Sequence, residues 1–160
     1  MSRLQIFEAV YQGLLANTTV MGLLGSPTAG NFRVYRSYPQ FQSLLTSVPF
    51  EPTGNDAWLV LEEPNPQQVA ERLIYETAWE VLELTFHVFT VRLSLAEEVI
   101  DALDVTWHWQ VDQQRDLQYG TNLVLHTRRF NTEETYNPEI KLYDKRAQYR
   151  MIFVQETLSA

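Results

Sequence analysis

The sequence predicts an α+β fold, in which an antiparallel or mixed β-sheet carries an N-terminal helix and a second helix packed on it. Several segments alternate apolar and polar residues with the period of two that half-buried strands show, and most follow one another without intervening helices. Two other segments place apolar residues three and four positions apart, as amphipathic helices do. Long loop and hairpin extensions complete the predicted layout.

The first helix is predicted over residues 2–15, where apolar residues recur on one helical face. A short apolar turn at residues 20–24 follows and is closed by a glycine. The second helix is predicted over residues 95–103. Ser94 precedes Glu97 by three positions, which is the spacing of a capping box, and we therefore expect Ser94 to cap this helix.

Strands are predicted on both sides of the second helix. Their expected ranges are residues 32–36, 58–62, 80–90 and 105–111, and then the two arms of a closing hairpin at 122–130 and 146–156. The pattern is clearest at 80–90, where four apolar residues alternate with polar ones: Leu82, Leu84, Phe86 and Val88. This strand should therefore have one buried face.

The chain is expected to form a single domain over residues 1–160, with extended segments at 37–56 and 131–145. Six of the seven prolines lie between Pro27 and Pro66, which predicts an irregular connection at 37–56. Residues 131–145 are predicted to form a long tip or an extended ribbon at the end of the hairpin. Long loops in compact domains are often functional, so both segments are candidate contact arms.

Composition excludes several classes of protein. The chain has no cysteine, which removes disulfides, thiol nucleophiles and zinc thiolate sites. A net charge of −8 argues against general nucleic-acid binding. The charge is uneven, because residues 51–104 hold twelve acids and two bases while residues 1–50 hold one acid and three bases. No apolar stretch reaches the length of a membrane span and no signal core is evident, so we expect a soluble protein made in the cytoplasm.

Motifs for catalysis or cofactor binding are missing from the sequence. It contains no glycine-rich phosphate loop, dinucleotide fingerprint, HExxH pair or nucleophile elbow. His87, His108 and His126 each fall on a predicted strand and could together hold a zinc ion, although their spacing does not require it. Structural or surface histidines are the competing interpretation. We therefore expect no enzyme activity, no catalytic residue, no metal site and no cofactor.

Protein contacts are the expected use of the exposed aromatic and charged residues. Aromatic residues in or beside the proline-rich connection have few internal partners, and the hairpin arm ends in a charged, polar run. The candidate subunit-interface residues are Tyr38, Phe41, Phe50, Arg128, Arg129, Glu133, Glu134 and Tyr136.

The order of these segments resembles the tail terminator family of long-tailed bacteriophages, also described as tail completion or minor tail proteins. The resemblance lies in the N-terminal helix with its turn at residues 20–25 and in a first strand at 32–35. A proline-containing segment then precedes the strand at 58–61, and the long strand at 80–90 feeds a helix that begins at Ser94. A closing charged strand at 146–155 completes the pattern.

The resemblance implies a structural role in the virion. Members of that family form a ring, usually a hexamer, that caps the tail tube, meets the connector on the head side, and leaves a channel through which DNA passes without specific binding. The expected partners are thus other copies of the chain, the tail tube protein and the head-side connector. A head-completion or neck protein is the nearest alternative; a small metal-dependent enzyme that uses the histidines and an unrelated adaptor domain are the other two.

Overall fold

The fold is described by a computed structural model of the chain, which covers residues 2–25, 33–36, 57–62, 79–109, 117–119, 122–139 and 141–155. Its elements in chain order are α1 (Ser2–Leu15), α2 (Thr18–Leu23), β1 (Val34–Tyr35), β2 (Ala57–Leu61), β3 (Trp79–Thr90), α3 (Leu93–Trp107), β4 (Leu117–Tyr119), β5 (Asn122–Asn137) and β6 (Leu142–Gln155).

These described strands form one sheet in the order β1-β2-β3-β6-β5-β4. The β1–β2 pair is parallel and the other described pairs are antiparallel. The sheet is therefore mixed, and the α+β fold with an N-terminal helix that the sequence predicts is confirmed.

The N-terminal helices form because their apolar residues fall on one side. The buried residues of α1 are Ile6, Phe7, Val10 and Leu14. Asn17 caps α2, since its Oδ1 accepts a hydrogen bond of 3.1 Å from the backbone N–H of Val20. Gly25 follows the helix with a φ of 91°, a conformation that glycine adopts without strain. The predicted apolar turn at 20–24 is thus the second half of a short helix and its cap.

The start of α3 differs from the predicted capping box. The helix begins at Leu93, and the residue at its N-cap is Arg92, whose side chain makes no capping hydrogen bond. The Arg92 carbonyl instead accepts the first helical bond, from Leu95 at 3.0 Å. Ser94 consequently lies inside the first turn, so the prediction that it caps the helix is wrong. The physical reason is the short connection between β3, which ends at Thr90, and the helix. The backbone N–H of Arg92 donates a hydrogen bond to the Thr90 hydroxyl, and the chain has already entered the helix before it reaches Ser94.

The predicted strand at 105–111 is also wrong over the residues that the structure describes. Helix α3 continues to Trp107, and the next residue, His108, has an extended backbone. Both indoles are buried, and each N–H finds a partner: Trp107 donates to the Tyr119 hydroxyl at 3.1 Å and Trp109 to the Thr106 carbonyl at 3.0 Å. The two tryptophans alternate as in a strand because the last residue of the helix, Trp107, and Trp109, two positions further on, are buried in the same core.

The main hydrophobic core lies between the helices and one face of the sheet, here called the helix face. On β3 this face carries Leu82, Leu84, Phe86 and Val88, all buried as the alternation predicts. On β6 it carries Ala147, Tyr149, Met151 and Phe153. The Phe86 ring packs against Trp107 and Tyr149 with centroid separations of 5.5 Å in both cases. One aromatic cluster thus joins α3 to the two central strands.

The opposite face of the sheet, here called the open face, is apolar at one end and polar at the other. Trp58, Val60, Phe89 and Leu142 form a second buried cluster near β1 and β2, with Tyr35 packed against it. Toward β5, the same face carries charged and amide side chains.

Residues 131–137 and 142–145 are paired strands of a β-ribbon rather than a long tip. Strand β5 runs to Asn137, β6 begins at Leu142, and their register pairs Asn131 with Gln148 and Asn137 with Leu142. Because the first half of β6 also pairs with β3, the ribbon is part of the main sheet and does not project from it. Segment 37–56 lies outside the described residues.

Candidate assembly surface

The strand register holds His87 and His126 apart, and His108 lies on no strand but directly after α3. His87 faces Arg146 on β6, and His126 faces Ile152 on the same strand. Those two positions are six residues apart, or about 20 Å at the rise of a β-strand. Zinc ligands lie about 2 Å from the metal, so one ion could not bind both side chains. The structure does not assemble the site that the metal hypothesis requires.

His87 is instead the centre of a buried ionic cluster. Its Nε2 lies 2.8 Å from Oε1 of Glu62, and its Nδ1 lies 3.0 Å from Oδ1 of Asp144. Burial lowers the pKa of His87, but hydrogen bonds and charge interactions with Asp144 and Glu62 outweigh it, and the net effect raises the pKa above its usual value. A carboxylate lies at each ring nitrogen, an arrangement that favours the imidazolium, which can donate from both. The cluster ties the end of β2 to β3 and β6.

A second ionic cluster joins α3 to the outer strands on the helix face. Lys145 is nearly buried, and its Nζ lies 3.3 Å from Glu97 on α3 and 3.0 Å from Glu134 on β5. Arg129 lies 3.3 Å from Asp104 on the same helix. Each cation bridges the helix to the sheet edge, so these charges hold α3 in place.

Tyr149 adds a buried hydrogen bond to this cluster. Its hydroxyl donates to Oδ1 of Asp104 at 2.6 Å, while the same carboxylate also meets Arg129. Burial raises the pKa of the Tyr149 hydroxyl, and the Asp104 carboxylate raises it further, so the hydroxyl keeps its proton and acts as a donor. Its role here is to orient Asp104.

A groove of about 550 Å³ opens between α3 and the outer strands. The residues that line it are Glu97, Ile100, Asp101, Arg129, Thr132, Glu134 and Lys145. Most of its charged groups already pair with each other, as Lys145 does with Glu97 and Glu134. Such paired groups resemble a structural clamp more than a set of acids and bases poised for chemistry.

The structure places five of the eight candidate interface residues, and all five lie on β5. Arg129 and Glu134 point to the helix face, in the ion pairs with Asp104 and Lys145. Glu133 points to the open face and pairs with Arg146. Tyr136 is 53% exposed and packs against Tyr143 at 5.0 Å between ring centroids.

Arg128 is the fifth, and it is exposed, with no ion pair or hydrogen bond inside the described part of the chain. The remaining candidates, Tyr38, Phe41 and Phe50, lie outside the described residues. Three of the five placed residues are therefore engaged in ion pairs within the chain, while Arg128 and Tyr136 present exposed side chains.

Strand β5 forms the exposed edge of the sheet over its second half. Strand β4 flanks it only at 122–124. Further along, the Thr127 carbonyl accepts a hydrogen bond from the backbone N–H of Trp109, and the backbone N–H of Arg129 donates one to Nδ1 of His108. From residue 131 to 137, β6 lies on one side and, within the described ranges, no strand lies on the other. Side chains 132–137 are exposed on both faces. Edges of this kind can accept a partner protein.

Sequence reasoning missed the ionic clusters because their partners are far apart in the chain. Glu62 directly follows β2, His87 lies on β3 and Asp144 on β6, and Lys145 reaches Glu97 across 48 positions. No spacing rule links such residues, although a lysine within a closing strand and acids on an amphipathic helix are visible in the sequence. Only the register of the sheet brings these groups together.

Comparisons with known proteins give a likeness of fold. No protein-family model and no curated protein matches the sequence. Among solved structures, the chain is similar to one in the virion of a native gene transfer agent particle, with a TM-score of 0.57, 16% sequence identity, and 91% of each chain covered. At this identity the match concerns the fold, which extends over nearly the whole of both chains. Within the described residues, none of the helices has the length and apolar character needed to cross a membrane.

Proposed function

We propose that this chain is a structural protein of a phage-like virion, and more specifically a tail terminator. The observation that carries this proposal is the likeness of fold to a chain of the gene transfer agent virion, which covers 91% of both chains. The order of elements supports it independently, because the sequence resembles tail terminators from the N-terminal helix to the closing strand. Neither line of support depends on a catalytic site.

The proposed terminator forms a ring, expected to be a hexamer, that closes the end of the tail tube. One side of the ring binds the tube protein and the other the head-side connector, while DNA passes through the lumen. The acid-rich segment 51–104 supports such a role, since a negative wall does not retain DNA. The exposed half of β5 provides an edge for contact between subunits or with the tube, and Tyr38, Phe41 and Phe50 remain proposed contact residues.

A head-completion or neck protein is the second proposal, because rings in that layer meet the same connector. The two proposals differ in partner. A terminator binds the end of a polymerised tail tube and stops further growth, whereas a neck protein binds the head-side connector and leaves tube growth unchanged.

Tube assembly in the presence of the purified chain separates the two. Tail tube protein is polymerised with increasing amounts of the chain, and tube lengths are measured by electron microscopy. A terminator shortens the tubes in proportion to its concentration and appears as a ring at their ends. Unchanged tube lengths and bare ends at saturating concentration would contradict the terminator assignment.

A further inference from the structure

Strand β5 contains two β-bulges, and each one places a large apolar side chain at the surface. The register with β6 shifts between Val124 and His126 and again between Arg129 and Asn131. The extra residues are Leu125, which is 40% exposed, and Phe130, which is 43% exposed. Bulges are retained features that redirect side chains, so this surface is built into the backbone.

Phe130 belongs to a basic and aromatic surface that we call the Arg-Phe strip: Arg128, Phe130 and Arg150. The guanidinium of Arg150 lies over the Phe130 ring, 4.7 Å from its centroid, and also reaches Glu83 at 3.1 Å. Arg128 faces Arg150 across the strand pair, so the strip holds two cations against one acid. Arginine and aromatic residues are enriched among those that dominate binding energy at interfaces.

The strip lies on the open face of the sheet. Glu83 and Arg150 form a cross-strand pair between Leu82 and Leu84 of the core, so their side chains point away from the helices. Arg128 has the same direction because its neighbours Thr127 and Arg129 bond to α3 residues on the helix face.

A complementary surface lies on the exposed side of α3, which we call the acidic stripe: Glu98, Asp101 and Val105. Asp101 lies at its margin, where it also lines the groove. These residues are spaced three and four positions apart, so they share one helix face. All three are exposed, Val105 by 62%, and the two acids have no ion pair within the described part of the chain. Glu98 and Asp101 thus give this surface a negative charge in a single copy.

The strip and the stripe cannot meet within one molecule. The strip is on the open face, while α3 packs on the helix face, so the sheet itself lies between them. Two copies can bring them together only in a head-to-tail arrangement, which uses a different surface on each side of every subunit. That arrangement forms a ring when the rotation between copies closes after a whole number of subunits, and an open filament when it does not.

We propose that the Arg-Phe strip of one copy binds the acidic stripe of the next. Arg128 and Arg150 face Glu98 and Asp101, and Phe130 packs against Val105. The charge pairs and the apolar contact then form together, which fixes how one copy is aligned on the next. Two strips cannot bind each other, because their arginines would repel. The contact rests on the proposed ring, and it names the surfaces that join the subunits.

A charge swap in the full chain tests this contact. Self-association is measured by analytical ultracentrifugation for the wild type, Arg128→Glu, Glu98→Arg and the double variant. Each single reversal is expected to raise the concentration of half-dissociation at least ten-fold, and the double variant to recover most of that loss. Phe130→Ala and Asp101→Arg provide a second variant on each surface, and circular dichroism checks that every variant is folded.

Matched controls carry the same charge changes on the β5–β6 turn. Lys141→Glu and Glu139→Arg are both exposed, and we expect each to associate as the wild type does. Association that is insensitive to Arg128→Glu and Phe130→Ala would overturn the contact while leaving the ring intact. So would loss of association in both single reversals with no recovery in the double variant.

A wild-type chain that remains monomeric up to about 1 mM, where a specific contact of ordinary strength is populated, would also overturn it. Shortening of tail tubes is a separate measurement, so failure of the strip contact and failure of the terminator assignment are distinguishable. A strip variant that keeps self-association but no longer caps tubes would place the tube protein, and not a second copy, on the strip, and would refute the proposed occupant.

Discussion

The hydrogen bond from Tyr149 to Asp104 is expected to stabilise the contact between α3 and the sheet. Tyr149→Phe removes the hydroxyl and keeps the ring, which is fully buried against Phe86. Hydrogen bonds to charged groups contribute about 1.5–3 kcal/mol. Because the Asp104 side chain is 19% exposed and also meets Arg129, we expect the lower part of that range, about 1.5–2 kcal/mol.

Urea denaturation followed by tryptophan fluorescence measures this loss. For a chain of this length, the same loss lowers the melting temperature by roughly 3–8 °C. The matched control is Tyr143→Phe, which removes a hydroxyl from a partly exposed ring and should change the free energy of unfolding by less than about 0.5 kcal/mol. A double-mutant cycle with Asp104→Ala isolates the pair. A Tyr149→Phe variant as stable as the control, or a coupling energy near zero, would refute the reasoning.

Two further predictions concern single residues. The pKa of His87 is raised in the folded chain, so its contribution to stability is complete below its unfolded pKa of 6.5 and is lost as pH rises through its folded pKa. The free energy of unfolding of the wild type, measured by urea denaturation at a series of pH values, should therefore decline above pH 6.5. His87→Gln should flatten this decline, and identical pH profiles for the two proteins would contradict the prediction. Gly13→Ala in α1, where an added Cβ meets nothing within 4 Å, should stabilise the fold by about 0.5–1 kcal/mol and raise the melting temperature. Gly25→Ala, at a φ of 91°, should destabilise it by about 1–2 kcal/mol and lower the melting temperature. Scanning calorimetry showing the same sign for both would refute the backbone argument.

The bulges of β5 determine which surface an assembly partner meets. Without the bulges, the side chains from Val124 to Asn137 would alternate strictly between the helix face and the open face of the sheet. The shift at Leu125 brings Arg129 to the helix face, the shift at Phe130 returns Glu134 to that face, and Leu125 and Phe130 themselves are exposed. A bulged strand thus serves two purposes, because it ties α3 to the sheet and presents the Arg-Phe strip.

Much of the fold was predictable because it depends on local patterns. The first helix matches its predicted range, and the strand at 80–90 has its apolar residues on the buried face. Where prediction failed, two local patterns competed. Ser94 satisfies a capping rule, but the end of β3 sets the helix start, and the tryptophan alternation at 107 and 109 imitates a strand while belonging to a helix end.

The candidate surface was only partly predictable. The sequence indicates that 128–136 is charged and aromatic, but it contains no signal for the two bulges, and bulges decide which face each side chain takes. It therefore cannot distinguish Arg129, which is engaged with α3, from its exposed neighbour Arg128. The spacing of acids along α3 was visible, whereas the complementary strip needed the register of β5 with β6.

Sequence alone determined the class of fold, the charge asymmetry and the absence of cysteine chemistry, because these depend on periodicity and composition. Tertiary structure alone decided the pairing of Glu62 and Asp144 with His87, the separation of His87 from His126, and the placement of two oppositely charged surfaces on opposite sides of the sheet. The physical reason is that side-chain direction in a sheet reverses with each residue, so one inserted residue changes the surface while leaving composition and hydrophobic pattern almost unchanged.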